Sequence, residues 1–332
     1  MEFVASMTHR ADELRKIIKL WQSSGDNRNP FARTIFTPLF ARPTVSILMK
    51  EMFEMPGGVI FDSGGYYVQQ GVVSYESLYQ NLMRFYRENE WADWYVLPDY
   101  VPTSSLSPDE VDSRVKATVT ISKLFHTEMP ENLRKKCLPV VQGYTLEQIQ
   151  LCVENYAEMG VSYIGFGSFG TSGDNNSINM ITRQSIQMIE FLKRHAERYK
   201  LKIHLFGIGT PSVLPLFREL GIDSFDSSCW SRTAGYGNVY LPFMGRRNIT
   251  GRMLREIGGE AYTKTKFIEL RDATGHDCPF CRDVDKLIGS RLHQMMHNLY
   301  VLLDTVDLLN AGKNFVPELV GVQESRYKNF RK

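Results

Sequence analysis

Ile222-Asp223-Ser224-Phe225-Asp226-Ser227-Ser228-Cys229-Trp230-Ser231-Arg232-Thr233-Ala234-Gly235-Tyr236-Gly237 reads as a short apolar approach that ends on a carboxylate and gives way to a polar, glycine-bearing loop. A buried strand delivers an acid to the mouth of an α/β enzyme in this way, so Asp226 is a candidate nucleophile. The same cadence recurs upstream. Apolar runs over residues 58–61, 94–97, 137–141 and 162–166 end near Asp62, Asp99, Gln142 and Ser168. Residues 202–206 form another run, ending at Gly207-Ile208-Gly209. Between the runs lie stretches with helical spacing: 44–53, 75–88, 107–125, 145–159, 182–198 and 210–220. Ser107-Pro108-Asp109-Glu110 predicts a capped helix start, and Thr145 with Gln148 predicts a capping box. Thr210-Pro211 predicts another helix start.

Strand, loop and helix therefore alternate, and the strands are apolar throughout, as in a parallel sheet covered on both faces. No strand runs into a Gly-x-Gly-x-x-Gly turn, which argues against a dinucleotide fold. About eight such units predict a (β/α)8 barrel of the TIM type rather than a doubly wound sheet. In a barrel, Asp62, Asp99, Gln142, Ser168 and Asp226 point into one mouth. The competing reading is that each acid only caps the helix that follows it. Residues 1–30 read as a helical extension built on residues 8–22, with the barrel expected over 31–245 and 285–320.

The chain has 332 residues, 43% of them hydrophobic, with a formal net charge of +2. That supports a large core and neither demands nor excludes a nucleic-acid partner. No apolar run approaches the ~20 residues that span a bilayer, and the N-terminus lacks a signal-peptide pattern. Five cysteines in a chain this long do not make a disulfide framework, so a reducing, cytoplasmic compartment is expected. Cys278-Pro279-Phe280-Cys281, preceded by His276 and followed by His293 and His297, has the arithmetic of a metal site, with zinc the usual occupant. A redox Cys-x-x-Cys is the alternative, but no thioredoxin-like context surrounds it. His126, His195 and His204 have no such company, and structural or surface roles are expected for them.

Taken together, Phe61-Asp62-Ser63-Gly64-Gly65-Tyr66, Val141-Gln142-Gly143, Ile164-Gly165-Phe166-Gly167-Ser168-Phe169, Gly207-Ile208-Gly209-Thr210-Pro211, Phe225-Asp226, Arg232 and His297-Asn298-Leu299 resemble, in order, the motifs of the tRNA-guanine transglycosylase superfamily. The resemblance implies an irregular TIM barrel carrying a zinc subdomain, expected over 246–300. It also implies exchange of a guanine base in a polynucleotide for a free 7-deazaguanine. By position, Asp226 resembles the nucleophile and Asp62 the general acid/base. Asp99 and Gln142 resemble the readers of the guanine edge, and backbone groups around Gly167 and Ser168 resemble those that bind the base's carbonyl oxygen. Tyr66 and Phe206 fall where the purine is sandwiched. The zinc ligands implied are His276, Cys278, Cys281 and His297, with His276 standing where relatives carry a cysteine. His297 is preferred to His293 because of its His-Asn-Leu context.

The loop after Asp226 departs from the tRNA enzymes, which resemble one another in an Arg-x-x-Arg pair. Here Arg232 is present but Gly235 takes the second place, and Tyr67 replaces a glutamine. These departures resemble the DNA-guanine transglycosylase branch of DNA-modification systems. That branch implies DNA as polymer, with tRNA the alternative, and 7-cyano-7-deazaguanine or a relative as the free base. Accessory proteins and a homodimer are further partners this allows. Arg232, Arg246 and Arg247 are candidate phosphate contacts, within a basic run that also holds Arg252 and Arg255. Arg326, Lys328, Arg331 and Lys332, with Tyr327 and Phe330, make a basic tail over 321–332. A non-catalytic nucleic-acid-binding subunit is the reading from another class, against which both Asp62 and Asp226 speak.

Overall fold

The computed structural model describes residues 1–7, 10–52, 58–103, 105–172, 178–251 and 261–313. Among the described residues eight parallel strands form one ring. They are β1 (Glu2–Ser6), β2 (Thr34–Phe36), β3 (Val59–Phe61), β4 (Trp94–Val96), β5 (Cys137–Leu138 and Val140–Val141), β6 (Tyr163–Phe166), β7 (Lys202–Leu205) and β8 (Ser224–Ser227). Each strand pairs in parallel with the next, and β1 pairs with β8 through Val4 and Asp226. The ring closes within β5. Its first half bonds to β4 and its second half to β6. Pro139 stands between the halves, and a proline has no N–H to give the ladder, so the single strand expected over 137–141 divides there.

Alternation along the strands builds two cores. Val4, Ile35, Ile60, Val96, Leu138, Val140 and Tyr163 fill the barrel interior, with Trp94 and Phe206 against them. The intervening residues, among them Phe3, Ala5, Phe36, Phe61, Ile164, Ile203 and Phe225, face the helices and join the larger outer core.

Eight helices supply that outer layer: α1 (Ala11–Gln22), α2 (Pro43–Met52), α3 (Tyr75–Glu88), α4 (Pro108–Glu128), α5 (Leu146–Glu158), α6 (Arg183–Arg198), α7 (Leu214–Glu219) and α8 (Arg291–Asn310). The Ser107 cap of α4 and the Thr145–Gln148 capping box of α5 form as expected, and α4 adds a capping box of its own, with Ser107 and Thr145 accepting from the backbone of Glu110 and Gln148. α8 packs on α1, α7 and β1, which completes the outer ring.

Four expectations change. Residues 1–30 are not only a helical extension, because Glu2–Ser6 is the barrel's first strand. Five residues hold too few periods to declare themselves in a sequence. The loop after β6 contains an antiparallel ribbon, Gly170–Ser172 with Ile178–Met180. α7 starts at Leu214, later than Thr210-Pro211 suggested, with Pro215 in its first turn. The segment after Asp226 is not a loop but a short helix, Cys229–Gly235. Arg252, Arg255 and the basic tail lie outside the described residues. No described helix is long and apolar enough to cross a membrane.

Candidate active site

The C-terminal ends of the barrel strands carry the polar residues. β8 places Asp226 on the interior face, 6% exposed. Its Oδ1 accepts from the Gly207 backbone N–H at 2.8 Å and from His204 Nε2 at 3.2 Å. Its Oδ2 accepts from Ser6 Oγ at 2.6 Å. Each donor comes from a neighbouring strand: Ser6 from β1, and His204 and Gly207 from β7 and the turn beyond it. Ser6 and His204 were not picked out from the sequence; His204 was expected to be structural or on the surface. Its ring is instead fully buried beside Asp226.

Asp62 follows β3, and its Oδ2 accepts from Thr37 Oγ1 at 2.8 Å. Burial pushes its carboxyl group above the ordinary value; the Thr37 hydrogen bond offsets part of this, and the charge of Asp226 adds to the rise. The two carboxyl groups stand at the C-terminal ends of β3 and β8, on the same rim of the barrel. A carboxyl group held towards its protonated form beside a second carboxyl group suits proton donation to a leaving group.

Asp99, Gln142 and Ser168 form a buried chain. Gln142 Nε2 donates to Asp99 Oδ2 at 2.6 Å, Ser168 Oγ donates to Gln142 Oε1 at 2.5 Å, and Gly143 N–H donates to Ser168 Oγ at 2.8 Å. Ser63 Oγ reaches Asp99 Oδ1 at 3.4 Å. Two glycines make room for this chain. A Cβ on Gly65 would lie 2.5 Å from Asp99 Oδ1, and one on Gly167 would lie 2.9 Å from Gln142 Nε2. The Gly167 N–H is already given to the Val141 carbonyl at 3.3 Å. Gly167 therefore acts here by close approach rather than as a free donor.

Burial pushes Asp99 up to about 7, against the Gln142 hydrogen bond that favours its charged form. The native state thus holds a proton on Asp99 that the unfolded chain releases near pH 4. The stability this contributes is complete below about pH 4 and is lost as the pH rises through about 7. Asp99→Asn is therefore expected to be more stable than the wild type at pH 8 by about 1 kcal/mol or more, the value of one pKa unit. The gain should vanish near pH 4. Thermal unfolding at both pH values checks this, and an equal difference at both would exclude Asp99 as the source.

Tyr66 is 46% exposed, on the short helix Gly65–Gln69. Phe206 rests against the barrel's interior core and meets the His204 ring edge-on at 4.7 Å. Tyr67 stacks on Phe40 at 3.9 Å and is thereby tied into the wall. Arg232 and Arg246 are exposed. Arg247 is half-buried: its Nε donates to Tyr262 OH at 2.7 Å, and its guanidinium lies over the same ring.

Away from the mouth, His276, Cys278, Cys281 and His297 bring four donor atoms within 4.8 Å of one another, all buried. Cys278 Sγ lies 3.4 Å from Cys281 Sγ and 3.5 Å from His297 Nδ1. Tetrahedral coordination with metal–sulfur bonds of about 2.3 Å and metal–nitrogen bonds of about 2.0 Å sets an S–S edge at about 3.8 Å and an S–N edge at about 3.5 Å. Both cysteines are free. His276 Nε2 is buried with no hydrogen-bond partner among the described residues, as a nitrogen meant for a metal would be. The opposite ring nitrogens are anchored. His276 Nδ1 donates to Asp304 Oδ2 at 2.7 Å, and His297 Nε2 donates to the Tyr240 carbonyl at 2.9 Å. This is the outer-shell arrangement that orients metal-ligating histidines. His293 is outside the group and hydrogen-bonds to Ser290.

A family model described as queuine tRNA-ribosyltransferase matches residues 49–309. A tRNA-guanine(15) transglycosylase of Aeropyrum pernix is 25% identical over 257 residues, covering 74% of this chain and 44% of that protein. One of Korarchaeum cryptofilum is 26% identical over 189 residues, 56% of this chain and 30% of that protein. The chain thus spans less than half the length of these relatives. The family match runs from α2 to α8, through six of the eight strands and all four donors of the Cys/His group, and the chain belongs to the queuine tRNA-ribosyltransferase family, the guanine transglycosylases.

Proposed function

We propose that the protein is a pentosyltransferase that exchanges a guanine base in a polynucleotide for a free base. The observation that carries this reading is the placing of Asp226 and Asp62 at the C-terminal ends of strands of one ring, with the buried Asp99–Gln142 pair at the ends of two others. Asp226 Oδ2 attacks the ribosyl C1′ as the C1′–N9 bond breaks, and Asp62 gives its proton to the departing guanine. The incoming base then loses its N9 proton to Asp62 and attacks C1′, and the ester bond to Asp226 breaks. The covalent step splits one hard displacement into two easier ones. Asp99 and Gln142 read the guanine edge, with Ser168 fixing the amide. Tyr66 and Phe206 supply aromatic faces for the purine, each worth roughly 1–3 kcal/mol in stacking on bases. The target nucleotide leaves its stack to reach the mouth.

The relatives, tRNA-guanine(15) transglycosylases, favour tRNA as the polymer. One observation favours DNA as a second reading. Gly235, where the tRNA enzymes resemble one another in an arginine, faces open space within 4 Å of its would-be Cβ. Packing therefore does not exclude an arginine there, and its replacement speaks for a different backbone partner. Arg232 and Arg246 remain as phosphate contacts in either reading. The free base is guanine or a 7-deazaguanine, the 7-cyano form included. His276, Cys278, Cys281 and His297 would hold a zinc ion, whose role with four protein ligands is structural.

Radiolabelled guanine offered with unmodified tRNA or with duplex DNA decides the polymer. Label entering tRNA supports the first reading, and label entering only DNA supports the second. Label entering neither removes base exchange.

A further inference from the structure

The barrel interior is mostly apolar, yet on the β6–β7–β8 side it carries a polar column. The column runs from Tyr163 through Ser224 and His204 to Asp226. Tyr163 OH is hydrogen-bonded to Ser224 Oγ, and Ser224 Oγ lies 2.6 Å from His204 Nδ1. His204 Nε2 lies 3.2 Å from Asp226 Oδ1. The register makes the column: β7 and β8 align His204 with Ser224, so Asp226 is the next residue on the same face. A barrel core needs no such groups, because branched apolar side chains fill it more cheaply.

The direction of the chain follows from donor counting. An ionised carboxylate only accepts, so His204 must carry its proton on Nε2. A neutral His204 then accepts at Nδ1 from the Ser224 hydroxyl, and Ser224 accepts from Tyr163. Asp226 Oδ1 receives both His204 Nε2–H and Gly207 N–H, which uses its two lone pairs. Among the described residues Oδ2 receives Ser6 Oγ alone, which leaves it one lone pair.

We propose that His204 is a positioning residue, which ties down Asp226 Oδ1 so that Oδ2 is the attacking oxygen, with Ser224 and Tyr163 fixing its tautomer. This rests on the base-exchange reading of Asp226. In the ester, Oδ2 bonds C1′ and Oδ1 becomes the carbonyl oxygen, still facing the same two donors.

Two measurements test it. The first is long-range 1H–15N correlation of the histidine rings in the full chain, assigned with His204→Gln. The Nε2–H tautomer is expected in the wild type, with the ring's nitrogen shifts moving in Ser224→Ala. An Nδ1–H tautomer would overturn the proposal. The second is the single-turnover rate of protein–polymer adduct formation with unmodified tRNA and duplex DNA. His204→Leu is expected to slow adduct formation by about 10²–10³-fold, the loss seen when one oriented donor is removed from a reacting centre. His204→Gln, which can present an N–H at Nε2, should recover at least about tenfold of it. Binding of free guanine should stay within about twofold in both variants. Adduct formation at the wild-type rate in His204→Leu would overturn the proposal, as would a loss matched by weakened guanine binding. If His204→Leu does not fold, Ser224→Ala must slow the same step. If the wild type forms no adduct with either polymer, base exchange itself falls, and the tautomer still decides whether His204 donates to Asp226.

Discussion

Asp226→Ala is expected to lose base exchange by at least about 10⁴-fold, because the variant lacks the atom that forms the covalent bond. The effect should be on the chemical step. The Asp99–Gln142–Ser168 chain makes no hydrogen bond to Asp226, so free guanine should bind the variant nearly as well as the wild type. The fold should also persist. The three donors to Asp226 come from Ser6, His204 and Gly207, and water can replace the lost carboxylate at a mouth. Initial rates of labelled-guanine exchange, with guanine binding measured in parallel, check this. Exchange within tenfold of the wild type would remove Asp226 as nucleophile.

The second large effect is expected at the Cys/His group. Cys281→Ala should abolish stoichiometric zinc and lower the Tm by about 10 °C or more. Structural zinc sites supply folding free energy outright, several kcal/mol in larger domains and about 10–16 kcal/mol of apparent binding in small zinc peptides. For a chain this large, each kcal/mol moves Tm by about 2–4 °C or less. Of the two thiols, the hydrogen bond from Cys278 holds Cys281 well below the ordinary value, which readies it as a thiolate ligand. The consequences reach the mouth through named contacts. His297 and Asn298 are adjacent on α8. Asn298 accepts from the Tyr240 N–H and donates to the carbonyls of Trp230 and Asn238. Trp230 Nε1–H in turn donates to the Ser6 carbonyl at 3.2 Å, beside the hydroxyl that holds Asp226. On the other side, Asp304 joins His276 to Arg28 in the segment after α1. Metal analysis with thermal unfolding checks the prediction. An unchanged Tm in a metal-free Cys281→Ala would leave the group without a structural role.

Much of the architecture was legible because it rests on local chemistry. Apolar runs ending in a carboxylate or amide marked β3, β4, β5 and β8, and capping residues marked the starts of α4 and α5. Asp62, Asp99, Gln142 and Ser168 could be named because each follows its strand directly. β1 was hidden, since Glu2–Ser6 is too short to show a period, and its place beside β8 is a property of ring closure. His204, Ser6 and Thr37 were hidden for a related reason. A histidine within an apolar strand looks like packing until the β7–β8 register sets it beneath Asp226. Ser6 meets Asp226 across 220 positions of sequence. The internal use of Arg247 was equally invisible, because its partner Tyr262 is brought near only by the fold.

In the proposed reaction Asp226 forms a covalent bond to the ribosyl carbon of a polynucleotide. Incubation of the protein with unmodified tRNA or duplex DNA, denaturing electrophoresis, and mass analysis of the peptide containing Asp226 test it most directly. A slowly migrating adduct is expected in the wild type, mapped to Asp226, dispersed by excess free guanine and absent in Asp226→Asn. An adduct that persists in Asp226→Asn, or one that maps to another residue, would contradict it.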